Sequence, residues 1–353
     1  MLSNFPTHRG SNMNVKSVIA AATGALMAAS AGATAFAEEV NIYSYRQPDL
    51  IAPLLDAFTK ETGIKTNVLF LNKGLVERMK AEGANSPADL IMTVDIGRLS
   101  NAKDEGVTQP VESAAINGTI PENYRDPEGH WYGLTTRGRV VYASKDRVDQ
   151  DTITYEELAD PKWKGKICIR SGQHIYNVAL IASVIAHLGE DKAETWLSGV
   201  KDNLARKPNG NDRAQAKGVF AGECDIGIGN TYYVGLMMTN EKEPEQKEWA
   251  DAIKVLFPNA GDRGTHVNIS GMALAKHAPN RDAAVKLMEF LASPEGQELY
   301  AEKVYEYPVD PNASASDIVK SFGDIKPDPL SLDEIAKNRA AASAMVDKVG
   351  FNN

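Results

Sequence analysis

The sequence predicts an α/β protein built of two lobes with a cleft between them. Short apolar strand patterns alternate with amphipathic helix patterns along most of the chain, which is typical of a sheet covered by helices on both faces. The chain has 353 residues, more than a single hydrophobic core usually contains. No flexible linker interrupts the pattern, so we expect strands to connect the lobes.

The first part of the chain has the pattern of three strands separated by two helices. In the first helix, Leu50, Leu54 and Phe58 recur at helical spacing. Strands that alternate with helices usually pair in parallel, so we expect a mostly parallel sheet. The predicted strands are Glu39–Tyr43, Thr66–Leu71 and Asp89–Val94, and the predicted helices are Pro48–Lys60 and Leu75–Glu82.

The same alternation returns after Trp131. A helix rich in Ala, Ile and Val is predicted over Asn177–His187, and the Ala-rich tail Asp333–Val349 is predicted to form one amphipathic helix. The other predicted strands are Arg139–Ser144, Lys166–Arg170, Asp225–Gly229 and Ile269–Ala275, and the other predicted helices are Tyr155–Leu158, Thr231–Met238, Arg281–Ala292 and Pro294–Lys303.

Residues 1–37 have the order of a secretory signal. They contain no Asp or Glu, Lys16 precedes an apolar run from Val18 to Ala31, and small residues at Ala35 and Ala37 suit a signal peptidase. A buried N-terminal helix is the alternative. We expect the mature protein to begin after Ala37 and to be exported.

Composition restricts the partners and the chemistry. The chain carries 47 acidic and 38 basic side chains, and nucleic-acid binding needs a basic surface, so we expect no nucleic-acid partner. An oxidising compartment allows Cys168 and Cys224, each beside a predicted strand, to form a disulfide. Two buried free thiols are the alternative.

Known catalytic signatures are missing from the sequence. It contains no G-x-S-x-G, no H-E-x-x-H, no P-loop and no complete G-x-G-x-x-G motif. We therefore expect a protein that binds a ligand rather than an enzyme.

Tyrosines follow several of the predicted strands. Asn230 or Thr231 is a natural N-cap, which places Tyr232 and Tyr233 in the first turn of a helix. Adjacent side chains there diverge by about 100°, so both rings could border one cleft. The alternative places one ring in the core and the other at the surface.

Converging phenols suit a highly charged metal ion. A free phenol has a pKa of about 10 and is neutral at pH 7, but a trivalent cation stabilises the phenolate. Three phenolates would balance Fe³⁺. An anion such as carbonate could fill the remaining coordination positions, its charge offset by Arg46, Arg137 or Arg139.

Several strings resemble one known family. Asn41–Pro48 (NIYSYRQP) is similar to the start of the periplasmic ferric-ion-binding proteins of bacterial iron ABC importers. The resemblance extends nearly to the C-terminus and is greatest to the branch that holds iron with three tyrosines and a synergistic carbonate. The further similar strings are Asp89–Asp95, Gly133–Arg139, Ser171–Asn177, Gly229–Tyr233 and Gly264–Gly271.

The resemblance implies a type II periplasmic-binding-protein fold whose lobes meet at an interlobe cleft with strand hinges. We expect residues 38–135 and 260–310 to form the N-lobe, and residues 136–259 and 311–353 to form the C-lobe. It further implies a monomer in the periplasm that carries Fe³⁺ to an ABC permease in the inner membrane.

The resemblance also implies roles for individual residues. Tyr176, Tyr232 and Tyr233 match the iron-ligating tyrosines of the branch. Tyr45 stands where other branches place a further ligand, so it is either a ligand or a hydrogen-bond donor beside the ligands. The candidates for the anion pocket are Arg46, Gln47, Arg137 and Arg139.

Two other functions are compatible with the sequence. A binding protein of the same fold could take a polyamine or an oxyanion, with the tyrosines stacking or donating hydrogen bonds. An exported two-lobe enzyme is the second alternative. A visible phenolate-to-iron charge-transfer band would separate the first function from both.

Overall fold

The computed structural model describes residues 38–353, so the predicted signal sequence lies outside the described residues. The strands are β1 (Glu39–Ser44), β2 (Lys65–Phe70), β3 (Leu90–Thr93), β4 (Tyr132–Ser144), β5 (Ile167–Cys168), β6 (Ile226–Asn230), β7 (Ile253–Leu256), β8 (Val267–Leu274) and β9 (Tyr307–Pro308). The first seven helices are α1 (Pro48–Thr62), α2 (Leu75–Glu82), α3 (Ile96–Asp104), α4 (Ala114–Thr119), α5 (Ile175–Leu188), α6 (Glu190–Asp202) and α7 (Asp212–Phe220). The others are α8 (Thr231–Met238), α9 (Glu245–Asp251), α10 (Arg281–Ala292), α11 (Pro294–Val304), α12 (Asp317–Lys320), α13 (Leu332–Lys337) and α14 (Arg339–Lys348).

The strands pair in the order β2-β1-β3-β8-β4-β6-β5, and β7 and β9 both pair with β4. Helices cover the sheet because their apolar faces need a partner surface. On α1, for example, Ile51, Leu54 and Phe58 are buried, and they pack in one cluster with Ile42 of β1 and Leu287 of α10.

Strand β4 connects two groups of strands. It is 13 residues long and buried along its whole length. Up to Gly138, which pairs with Val267, it lies antiparallel to β8. From Arg139, which pairs with Asn230, it lies antiparallel to β6. The side chains of Arg137 and Arg139 therefore leave the sheet where β4 changes its main partner.

The prediction of a mostly parallel sheet is wrong. β1 pairs in parallel with β2 and β3, and β5 pairs in parallel with β6. The other five pairings are antiparallel, and four of them involve β4. The helix–strand alternation describes neighbours along the chain. Every residue of β8 that pairs with β3 or β4 is at least 129 residues away from its partner, as Gly138 is from Val267, and local patterns carry no information about such pairs.

Most predicted helices are present, and three occupy the predicted residues, α2, α8 and α10. Tyr155–Leu158 corresponds to a 3-10 helix at Glu156–Ala159. The predicted single tail helix is in fact two helices that meet at Asn338. The Asn338 side chain donates a hydrogen bond to the carbonyl of Glu334 (2.8 Å), a local bond that competes with continued helix formation.

Cys168 and Cys224 form a disulfide, with their Cα atoms 5.8 Å apart. Of the two sequence alternatives, the bridge is therefore the one present. It joins β5 to the turn before β6, which itself pairs with β5. None of the helices between residues 38 and 353 is long and apolar enough to cross a membrane.

Candidate metal and anion site

Tyr232 and Tyr233 lie in the first turn of α8, directly after β6. Asn230 ends the strand in an extended conformation and Thr231 begins the helix. The two rings stack with centroids 4.3 Å apart and an interplanar angle of 29°. Tyr232 is buried, and Tyr233 is partly exposed. The alternative in which the two rings diverge, one to the core and one to the surface, is not what the structure shows.

Tyr176 meets this pair from the first turn of α5. Its hydroxyl oxygen lies 3.1 Å from the hydroxyl oxygen of Tyr232. His174 caps α5: its Nδ1 accepts a hydrogen bond from the Tyr176 N–H (3.3 Å), and its ring packs edge-on against the Tyr176 ring. Two helix starts that are 56 residues apart in sequence thus bring their phenols together.

The protonation state of His174 agrees with this capping role. Burial, and after it the positive charge of Arg170, lowers the pKa of His174 to about 3. The imidazole is therefore neutral at pH 7, and a neutral ring nitrogen can accept the N–H of Tyr176.

The phenols of Tyr232 and Tyr233 are neutral when no cation is present. Burial raises the pKa of Tyr232 well above its usual value, and Tyr176 and Tyr233 raise it further. Burial also raises the pKa of Tyr233, with Asp212 contributing. Ionising these hydroxyls at pH 7 therefore requires a strongly charged cation at the phenol oxygens.

Arginines surround the three rings. Each guanidinium carbon lies between 5.1 and 6.0 Å from the nearest of these ring centroids, within the range of cation–π attraction. Arg46 faces Tyr232, Arg213 faces Tyr233, and Arg137, Arg139 and Arg170 all face Tyr176.

Arg139 donates to protein partners from both of its terminal nitrogens. Nη1 donates to Asp212 Oδ2 (2.6 Å) and Asn230 Oδ1 (3.0 Å), and Nη2 donates to Asn177 Oδ1 (2.7 Å). Because Asn177 follows Tyr176 and Asn230 precedes α8, Arg139 ties together the two elements that carry the phenols. Arg139, which the sequence predicted as an anion ligand, therefore cross-links protein elements in the structure.

Asp212 is the counter-charge of this cross-link. It is fully buried at the start of α7 and also accepts from Arg170 Nη1 (3.0 Å) and from the backbone N–H of Asn230 (2.9 Å). Sequence reasoning missed Asp212. A local pattern could have indicated a helix start here, because Asn211 is a favourable N-cap residue. In the structure it caps α7 by accepting a hydrogen bond from the Ala214 N–H (3.1 Å).

Arg137 is the predicted anion ligand with the most free donors, since two of its nitrogens lack a partner among the described residues and only Nε of Arg139 does. Its side chain is buried, and Nη1 makes one long hydrogen bond to Ser270 Oγ (3.4 Å). Nε and Nη2 have no hydrogen-bond partner within residues 38–353. A buried guanidinium with unpaired N–H groups is costly, so an anion bound here would satisfy it.

The other three predicted residues differ in their surroundings. Arg46 is buried and bonded to Glu306 and Ser270. Gln47 is exposed at the start of α1 and its side chain makes no capping hydrogen bond. The Tyr45 hydroxyl accepts the N–H of Leu75 (3.1 Å) and the ring lies under Arg98, so the structure engages Tyr45 at α2.

The usual metal-binding side chains do not assemble elsewhere. In the part of the chain that the structure describes, no three His, Cys, Asp or Glu side chains come together in a way that could hold a metal ion. The phenol oxygens of Tyr176 and Tyr232 are thus the converging hard donors at the cleft.

Comparison with known families agrees with this architecture. A sequence model of the family described as bacterial extracellular solute-binding proteins matches residues 85–327, more than half of the chain. The chain belongs to this family. The family prediction and the type II periplasmic-binding-protein fold predicted from the sequence are thereby confirmed.

Several relatives of this solute-binding protein are named for iron. Iron uptake protein A1 of Synechocystis is 44% identical over 316 residues, which is 89% of this chain and 88% of the relative. The structure of a Bordetella ferric binding protein is 53% identical with a TM-score of 0.85 and covers 90% of this chain and 100% of that one. A Trichodesmium protein described as in complex with iron and citrate ligands is 46% identical, also with a TM-score of 0.85, covering 89% and 99% of the two chains.

Proposed function

We propose that this solute-binding protein captures ferric iron in the periplasm and delivers it to an ABC permease in the inner membrane. The observation that carries the proposal is the convergence of phenols: the hydroxyls of Tyr176 and Tyr232 lie 3.1 Å apart, and Tyr233 stacks against Tyr232. The names of the relatives, an iron uptake protein and a ferric binding protein, support the same cargo.

Tyr176, Tyr232 and Tyr233 bind the iron as phenolates. Fe³⁺ is a hard cation that prefers oxygen donors, and three phenolates neutralise its charge. Because burial keeps Tyr232 and Tyr233 protonated without metal, iron displaces their protons when it binds. Tyr45, whose hydroxyl is engaged with Leu75, serves as a donor beside the ligands or joins them after its bond to α2 breaks.

A small anion completes the coordination sphere. Arg137 offers two nitrogens without hydrogen-bond partners, Nε and Nη2, beside the Tyr176 ring, and carbonate or a similar anion binds there through forked hydrogen bonds. A carboxylate anion offers the same kind of oxygen atoms, which can accept hydrogen bonds from Arg137 and coordinate the iron. The Trichodesmium relative, described as in complex with iron and citrate ligands, supports an anion that accompanies the metal.

The type II periplasmic-binding-protein fold supports a transport role. Residues 1–37 direct export, the two lobes close over the iron, and the closed monomer docks on the permease, as hinge closure in periplasmic binding proteins allows. The protein acts by binding and release, without making or breaking bonds in a substrate. A polyamine cargo is disfavoured, since five arginines around the phenols repel a polycation.

Iron addition to the metal-free protein tests the proposal. With bicarbonate present, we expect a visible charge-transfer band in the wild-type protein and its loss when Tyr232 and Tyr233 are both replaced by Phe. Tyr43→Phe is the matched control, because Tyr43 is a buried tyrosine whose hydroxyl bonds Glu82 instead. A band of equal strength in the double variant would refute the ligand assignment.

A further inference from the structure

A fully buried carboxylate, Glu306, lies between α11 and β9 on the edge of the arginine cluster. Its Oε2 accepts hydrogen bonds from Thr135 Oγ1 of β4 (2.6 Å) and Ser270 Oγ of β8 (2.7 Å). Its Oε1 accepts from Arg46 Nη2 (2.6 Å). One carboxylate thus joins two strands at the centre of the sheet to the loop after β1.

Two buried arginines lie near this carboxylate, but only one of them is bonded to it. Arg46 is held directly by Glu306, by Ser270 Oγ (2.5 Å) and by Tyr300 Oη, which accepts from Arg46 Nε (3.2 Å). Arg137 reaches only Ser270 Oγ, at 3.4 Å. Glu306 therefore neutralises Arg46 and leaves Arg137 with an uncompensated charge.

Glu306 is charged at neutral pH. Burial alone would raise the pKa of its carboxyl group, but Arg46 and then Arg137, together with the hydroxyls of Thr135 and Ser270, bring the pKa below its usual value. The side chains that face the carboxylate are thus two cations and two hydroxyl donors, which stabilise the ionised form.

We propose that Glu306 is a specificity-determining residue that sets how much negative charge the anion pocket accepts. This inference rests on the proposed function, since it concerns the anion that accompanies the iron. By pairing with Arg46, Glu306 leaves Arg137 as the one guanidinium without a carboxylate partner among the two that contact Ser270. A doubly charged carbonate suits such a pocket. Loss of the Glu306 charge adds the charge of Arg46 to that of Arg137 and favours a more highly charged anion such as citrate.

Glu306→Gln tests the proposal because glutamine keeps the shape and an acceptor oxygen but removes the charge. The measurement is iron affinity with either bicarbonate or citrate as the only anion. We expect the citrate-to-bicarbonate affinity ratio to rise on the order of tenfold over wild type, as one additional positive charge acts on one additional negative charge. Chelation of iron by free citrate is the same for both proteins and cancels in this comparison.

Glu289→Gln is the matched control: Glu289 accepts a hydrogen bond from Ser113 and not from an arginine, so the ratio should not change. The Arg46→Gln, Glu306→Gln double variant removes the ion pair as a unit. It should return the citrate-to-bicarbonate affinity ratio to the wild-type value, because it removes one positive and one negative charge together. If Glu306 had only a structural role, removing Arg46 as well would not restore the ratio. The double variant also keeps the test valid if the single variant does not fold, because it removes both members of the Arg46–Glu306 pair and leaves neither without its partner.

Calorimetric titration of the metal-free proteins with citrate repeats the comparison without iron. Tighter citrate binding by Glu306→Gln, reversed in the double variant, supports the assignment. An unchanged citrate affinity together with an unchanged ratio overturns it. Failure of wild-type protein to form the iron band refutes the proposed function instead, and the metal-free titration then decides on Glu306 alone.

Discussion

Asp212→Asn should strongly destabilise the protein. Asp212 is fully buried and is the shared carboxylate of Arg139, at 2.6 Å, and Arg170, at 3.0 Å. The substitution leaves two largely buried guanidinium groups without a counter-charge. Breaking a buried pair in this way costs about 3–5 kcal/mol, and we expect a loss of that size in the free energy of unfolding.

Asp225→Asn provides the comparison for this prediction. Asp225 also lies between two cations, Arg147 at 2.9 Å and Lys166 at 3.1 Å, but both partners are more than a third exposed. Ion pairs of this kind contribute at most about 1 kcal/mol. The free energy of unfolding of both variants can be measured by urea denaturation with tryptophan fluorescence as the signal. If both variants lost the same amount, about 1 kcal/mol, the argument from burial would be refuted.

Three further predictions follow from other parts of the structure. Burial raises the pKa of Tyr232, so its phenol is protonated without metal and iron affinity increases with pH. A pH-stat should record the release of about one proton fewer per bound iron in Tyr232→Phe than in wild type. Equal proton release by the two proteins would contradict the role of Tyr232 as a phenolate ligand. Gly229→Ala should cost about 1–3 kcal/mol, because an added Cβ would lie 2.2 Å from ring atoms of Tyr142, and a neutral effect in urea would mean that the ring moves aside. Reduction of the Cys168–Cys224 bridge, which spans 56 residues, should lower the free energy of unfolding by about 2–5 kcal/mol, and identical unfolding curves with and without reductant would contradict this value.

The local parts of the structure could be predicted from the sequence. Helix α8 occupies the residues predicted from its N-cap and apolar pattern, and this placement brings Tyr232 and Tyr233 to a helix start. Tyr176 is likewise in the first turn of its helix. Such positions depend on caps and spacing within a few residues, which a single sequence records.

The long-range parts could not be predicted in this way. Arg139 and Asp212 are 73 residues apart, and Arg46 and Glu306 are 260 residues apart. No local pattern distinguishes a buried arginine that needs a carboxylate from one that faces an anion. The sequence therefore predicted Arg46, Arg137 and Arg139 as equivalent, whereas the structure pairs two of them with carboxylates and leaves donors free on Arg137.

The change of partners along β4 has a mechanical consequence. Gly138 stands between Arg137 and Arg139 where the strand passes from β8 to β6. Any rotation of one strand group against the other bends the backbone near this residue and changes the angle between the two guanidinium groups. The segment around Gly138 would thus couple the arrangement of the two arginines to the relative orientation of the two strand groups. Binding of a ligand between the arginines and closure of the two strand groups would then favour each other through the backbone of β4 alone.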